Sequence, residues 1–291
     1  MTESVDKIAQ SHMIDLPSGR FHYLSWGAEK TELPSALLLH GITSSALSWV
    51  RVGPELAGRY RVYALDQRGH GDSIKPSRGA YSLRHSADDA AAFLEALGLE
   101  RPVLMGHSWG GATAIVLASG AGSHKPAPAF SHLILEDPAH NFGHDALEDH
   151  AALETRAAFY TRDIGRPAHE LRVEIAASSP GWSEADIEGK IDALQKVTRE
   201  AVVSIFSEAG QEGDLLALLA RVAAPTLLMR ADSAMGTLLD DAAWEQAKQY
   251  LPAHSRAVQV NGATHNIHRS QFDAFMQVVN DFLSQEPLFE R

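Results

Sequence analysis

Val103-Leu104-Met105-Gly106-His107-Ser108-Trp109-Gly110-Gly111-Ala112 is the stretch on which the reading of this chain turns. Three apolar residues run into a Gly-x-Ser-x-Gly pentapeptide, and a helix pattern, Trp109–Ser119, starts directly behind it. A serine placed between strand and helix without a loop must occupy a sharp, strained turn. Glycines at 106 and 110 remove the side chains that would collide across that turn. The following helix presents its N-terminal N–H groups to developing negative charge. The pentapeptide alone is a weak signal, and the strand before it and helix after it make it specific. Ser108 is therefore the candidate nucleophile.

Working outward, short apolar runs alternate with longer amphipathic stretches, the rhythm of βα units on a mostly parallel sheet. Strands are expected at Phe21–Ser25, Ala36–Leu39, Arg61–Leu65, Val103–Met105, His132–Leu135, Thr226–Met229 and Ala257–Val260. Helices are expected at Ser86–Leu97, Trp109–Ser119, Ala242–Tyr250 and Gln271–Phe282. Between about His140 and Ala223 no strand-like run occurs. That segment reads as helices only, at Asp145–Tyr160, Pro167–Ala177, Glu184–Glu208 and Asp214–Val222. The expected organisation is an α/β core of residues 1–139 and 224–291 with an all-helical insertion at 140–223.

Three further motifs share the frame of that core. Leu37-Leu38-Leu39 ends in His40-Gly41-Ile42, Leu65 is followed by Asp66-Gln67-Arg68-Gly69-His70-Gly71-Asp72-Ser73, and Val260 precedes Gly262-Ala263-Thr264-His265. Together with Gly106–Gly111, their order and spacing across nearly the whole chain resemble the α/β-hydrolase superfamily. The resemblance implies the α/β-hydrolase fold, with helices flanking the central sheet and the helical insertion acting as a lid. It also implies an oxyanion hole built from the backbone N–H groups of Ile42 and Trp109, and a nucleophile–acid–histidine chain order. His265 is then the general base, and His268, three residues on, its competitor. Arg68, Asp72 and Ser73 read as braces of their loop.

The acid is the open member. The family's usual aspartate follows the strand Thr226–Met229 in a Gly-x-x-Asp pattern, but the sequence here is Ala231-Asp232-Ser233-Ala234. Asp232 is available two residues early. The preceding strand ends Leu135-Glu136-Asp137-Pro138, and Glu136 stands where certain haloalkane dehalogenases and zearalenone lactonases carry their glutamate. Glu136 is the first choice, Asp232 the second and Asp137 the third.

The function this implies is a serine hydrolase cleaving a carboxylic ester or lactone of a small, largely apolar substrate through an acyl-enzyme on Ser108. A serine at 108 argues against dehalogenase or epoxide hydrolase chemistry, which needs a carboxylate nucleophile. Amide or carbon–carbon bond hydrolysis, perhydrolase or haloperoxidase activity, and a non-catalytic small-molecule receptor remain alternatives on the same fold. Trp182, Phe142 and Phe159 are candidates to line the substrate pocket.

Composition narrows the rest. A formal charge of −12 disfavours nucleic acid and anionic membranes as partners. There is no cysteine, which removes disulfides and thiol catalysis and fits a cytoplasmic setting. Met1–Gln10 lacks the apolar core of a signal peptide, and no run is long enough to span a membrane. Of fifteen histidines, His140 and His144 have i, i+4 spacing, but no HExxH motif occurs, so neither metal nor cofactor is expected. The expected partner is a small-molecule substrate, with a homodimer left open.

Overall fold

In the computed structural model the described residues are 8–123, 127–140, 150–209 and 213–284. Eight strands form one sheet: β1 (Gln10–Leu16), β2 (Gly19–Trp26), β3 (Ser35–Leu39), β4 (Arg61–Leu65), β5 (Val103–His107), β6 (His132–Glu136), β7 (Thr226–Arg230) and β8 (Arg256–Gln259). Their order is β1-β2-β4-β3-β5-β6-β7-β8. The β1–β2 and β2–β4 pairs are antiparallel and all the others are parallel. β1 was not foreseen in the sequence. It is a mostly exposed edge strand, QSHMIDL, whose polar alternation offers little apolar signal.

The helices of the core are α1 (Val52–Leu56), α2 (Leu83–Ala96) and α3 (Trp109–Ala118). Four helices follow between β6 and β7: α4 (His150–Thr161), α5 (Ala168–Ser178), α6 (Glu184–Lys196) and α7 (Arg199–Glu208). The chain ends with α8 (Asp241–Tyr250), the single turn α9 (Ile267–Ser270) and α10 (Phe272–Leu283). The single helix expected over 184–208 is broken in two, because Thr198 turns extended and its hydroxyl caps Ala201 N–H to start α7. The Asp214–Val222 expectation reduces to a 3-10 turn, Ala217–Arg221.

Parallel strands covered on both faces alternate their side chains between two cores. Leu37, Leu39, Leu104, Leu133, Leu135 and Leu228 face α2, α3 and α8. Ala36, Leu38, Met105, Ile134, Leu227 and Met229 face the opposite layer, with Trp49, Phe275 and Phe282. The helices between β6 and β7 have two small apolar clusters of their own, and one of them, containing Val202 and Phe206, packs on Ile42. Among the described residues no helix is long and apolar enough to cross a membrane.

Gly110 shows how closely α3 is seated on the sheet. A Cβ there would lie 2.2 Å from the carbonyl oxygen of Leu39. Gly110→Ala is therefore expected to cost about 1–3 kcal/mol by urea unfolding. An unchanged midpoint would contradict this seating.

Candidate active site

Ser108 lies between β5 and α3 at φ +52° and ψ −117°, a conformation a non-glycine residue holds only where its surroundings impose it. The surroundings are the end of β6. Ser108 N–H donates to the Glu136 carbonyl at 3.0 Å, and the Ser108 carbonyl accepts from Ala139 N–H at 3.1 Å. The loop after β3 closes over the same point. A Cβ on Gly41 would come within 3.1 Å of Ser108 Cβ and 2.8 Å of His107 Nδ1, so only glycine lets this loop approach the serine so closely. Ile42 follows at once, which brings the loop expected to hold the oxyanion onto the nucleophile turn.

His265 lies in the loop after β8 with its side chain about a quarter exposed, and its Nδ1 is 2.7 Å from Asp137 Oδ2. Asp137 is fully buried, at φ +38°, with its N–H on the Met229 carbonyl. Thr237 Oγ1 donates to its Oδ1 and Leu238 N–H to its Oδ2. Three donors thus converge on one carboxylate and fix the plane in which the imidazole is held. His107 completes the support, with its ring against that of His265 at 4.6 Å between centroids. Its Nε2 donates to the His265 carbonyl at 3.0 Å.

The first-choice acid is therefore corrected. Glu136 does not reach His265: both its oxygens lie 2.8 Å from His268 Nδ1, and Oε1 also accepts from His268 N–H. The reason is strand alternation. Glu136 continues the parity of Ile134, toward the layer of Trp49 and Phe275, while the next residue emerges on the other side. Asp232 is corrected too. Its carboxylate accepts from Ala234 and Gly262 N–H, capping one turn and fastening the loop that carries His265. Those two bonds lower its pKa.

Around Glu136 a second buried network forms. His268 Nε2 is 3.1 Å from Ser48 Oγ, and Arg269 Nη2 donates to Ser48 Oγ and Ser44 Oγ. Burial pushes Glu136 up and His268 well down, and brings the Arg269 guanidinium to about 10. Each shift expresses the cost of charge in a dry interior. The Asp66–Ser73 loop is a brace, as read. Asp66 accepts from Ala46 N–H at 2.6 Å, and Arg68 forms a two-pronged pair with Asp89 at 2.6 Å. Asp72 meets Lys196 of α6 at 2.7 Å.

Of the expected pocket residues, Phe159 is 61% exposed and faces away from the site, because α4 turns its neighbour Tyr160 inward onto Phe206 instead. Trp182 is half-buried beneath the Arg269 guanidinium, 4.4 Å from its ring centroid. Phe142 lies outside the described residues. Among the described residues His22, Asp66 and Asp72 have metal-ligand spacing, yet His22 already pairs with Asp66 and Asp72 with Lys196.

A model of the alpha/beta hydrolase fold matches residues 34–269. N-formylmaleamate deformylase of Pseudomonas putida is 29% identical over 91% of this chain and 92% of its own. Epoxide hydrolase 3 of Xenopus tropicalis is 27% identical over 94% of this chain and 77% of its own. The crystal structure of an E-2-(acetamidomethylene)succinate hydrolase superposes with a TM-score of 0.77 at 21% identity, covering 95% of this chain and 99% of the other. The relatives are hydrolases, and hydrolysis is the activity they support.

Removing the Glu136 side chain strands the ring and backbone donors of His268. Glu136→Ala is expected to cost about 2–3 kcal/mol in chemical unfolding, with Asp232→Ala costing clearly less. Equal losses would contradict the placement of the two acids.

Proposed function

Because the chain belongs to the α/β hydrolase family, we propose that it is a serine hydrolase acting by acyl transfer to water, with Ser108 as nucleophile, His265 as base and Asp137 as the acid. The observation that carries this reading is the 2.7 Å contact of His265 with a fully buried Asp137, the His265 ring packing on that of His107, the residue before a serine held at positive φ.

Ser108 Oγ adds to the substrate carbonyl carbon while its proton passes to His265 Nε2. The oxyanion is held by the N–H groups of Ile42 and Trp109. Collapse of the adduct expels the leaving group, which takes the proton from His265. Water then attacks the acyl-enzyme with the same base, releasing the acid and restoring Ser108. The Asp137 carboxylate steadies the imidazolium formed in each half-reaction. The reading needs no cofactor. We take α4–α7 as a lid, because their apolar residues pack on Ile42 next to the nucleophile, which suits a small, largely apolar acyl group.

A carboxylic ester or lactone is the bond this site suits first. An acyl C–N bond is the second reading, favoured by the deformylase relative. Epoxide opening is set aside on chemical grounds. It proceeds through an alkyl ester on a carboxylate nucleophile, whereas Ser108 would leave an ether that water does not cleave.

The test is turnover of a short panel of p-nitrophenyl esters, lactones and N-formyl amides, with mass spectrometry of the enzyme quenched during turnover. Ser108→Ala is expected to lose at least about 10³-fold in kcat, and the acyl adduct to map to residue 108. Activity retained in Ser108→Ala, or an adduct elsewhere, would overturn the reading. The ratio of ester and lactone to amide rates separates the two bond classes.

A further inference from the structure

Helix α6 carries Lys190 onto the loop after β3. Its Nζ donates to the Thr43 carbonyl and to Thr43 Oγ1, both at 2.8 Å. Thr43 is a β-branched residue at φ +56°, so the loop is held in a turn that it would not adopt unsupported. From the sheet side, the loop is tied by Thr43 N–H to His70 Nε2 at 3.3 Å and by Ala46 N–H to Asp66. From the other side the tie is Lys190. Helix α6 is seated along the same segment: Gly189 packs on Leu47, where a Cβ would be 3.2 Å from its carbonyl, and Arg51 meets Asp186 at 3.2 Å.

Lys190 has no carboxylate at ion-pair distance among the described residues; Asp163 acts on it only at longer range, and Arg269 repels it. An ammonium without a counterion beside the residue that follows Ile42 is an unusual expense unless negative charge appears there. In the proposed reaction, that charge is the oxyanion.

We propose that Lys190 is a positioning residue for acyl transfer, delivered by the helical insertion to fix residues 41–43 and to set a positive charge behind the Ile42 N–H. The proposal rests on the serine hydrolase reading. It makes the insertion part of the oxyanion apparatus, so that the hole is complete only while α6 is docked.

Burial and Arg269 bring the Lys190 pKa down to about 7. The charged form is therefore present below that pH and lost above it. The neighbouring groups are Arg269, the Arg51–Asp186 pair, Asp163, and His40 and His70. Burial lowers both histidines, His70 to about 3. Arg269 stays charged, Asp163 is held below the usual carboxylate range, and the two histidines are held neutral, so these four keep their charge near pH 7. Any contribution of the His265 base to the pH profile is common to every variant compared.

The experiment measures kcat and KM for p-nitrophenyl acetate across pH 7 in wild type, Ser108→Ala, Lys190→Met and Lys190→Arg, with thermal melts as a folding control. Lys190→Met is expected to lower kcat on the order of tenfold below pH 7 with KM little changed. Lys190→Arg, whose charge does not titrate, should retain more of kcat and lack the decline expected of wild type above pH 7. Thr43→Val combined with Lys190→Met should lose less than the product of the two single effects.

Unchanged kcat in a folded Lys190→Met, an effect confined to KM, or the same alkaline decline in Lys190→Arg would each overturn the proposal while leaving the reading of Ser108 intact. If Lys190→Met does not fold, the pH profile of Lys190→Arg decides. Activity persisting in Ser108→Ala would instead overturn the serine hydrolase reading on which the proposal stands.

Discussion

Side-chain alternation at the end of β6 is the constraint on which the site depends. Two adjacent acids leave the strand on opposite sides, and each takes a different histidine of one short segment: Glu136 takes His268 and Asp137 takes His265. The backbone of the same two residues holds the rest in place. The Glu136 carbonyl accepts from Ser108 N–H, and Asp137 N–H is bound by the Met229 carbonyl. The Ser108 turn, both acids and the histidine loop are therefore registered against one strand end, and a slip of one residue would exchange the partners of both histidines.

The two acid–histidine pairs sit in different surroundings. Glu136 and His268 are both wholly buried, between Trp49 and Ser48, where burial opposes charge on either. That pair fastens α9 to the sheet and to the 3-10 turn Ala46–Trp49. His265 remains partly open to solvent while its acid is fully enclosed by Thr237, Leu238 and its own loop. A partly exposed ring with one nitrogen anchored on a buried carboxylate is suited to carrying protons, whereas a sealed pair is suited to holding structure.

The sharp strand-to-helix turn at Ser108 was legible because its requirements are local: an apolar strand, two glycines and a helix within ten residues. The His265 loop and the Asp66–Ser73 brace were legible for the same reason, each following directly on an apolar strand. Asp137 was in principle readable as the partner of His265 from the parity of Leu133, Ile134 and Leu135, which sends residue 136 with Ile134 and residue 137 the other way. The resemblance to relatives with a glutamate at the strand end favoured Glu136 over that parity. β1 was hidden because an exposed edge strand need not be apolar. The contact of Lys190 with Thr43 joins residues 147 apart in sequence, and no periodicity or spacing encodes such a meeting.

The claim at the centre of this account is that the carboxylate of Asp137 orients His265. It is tested most directly by the kcat of Asp137→Asn and Asp232→Asn, measured side by side on an ester that wild type turns over. The account predicts a fall of about 10³- to 10⁴-fold in Asp137→Asn, through loss of the correct imidazole tautomer, and a change of only a few-fold in Asp232→Asn. A collapse in Asp232→Asn, with Asp137→Asn still active, would contradict it.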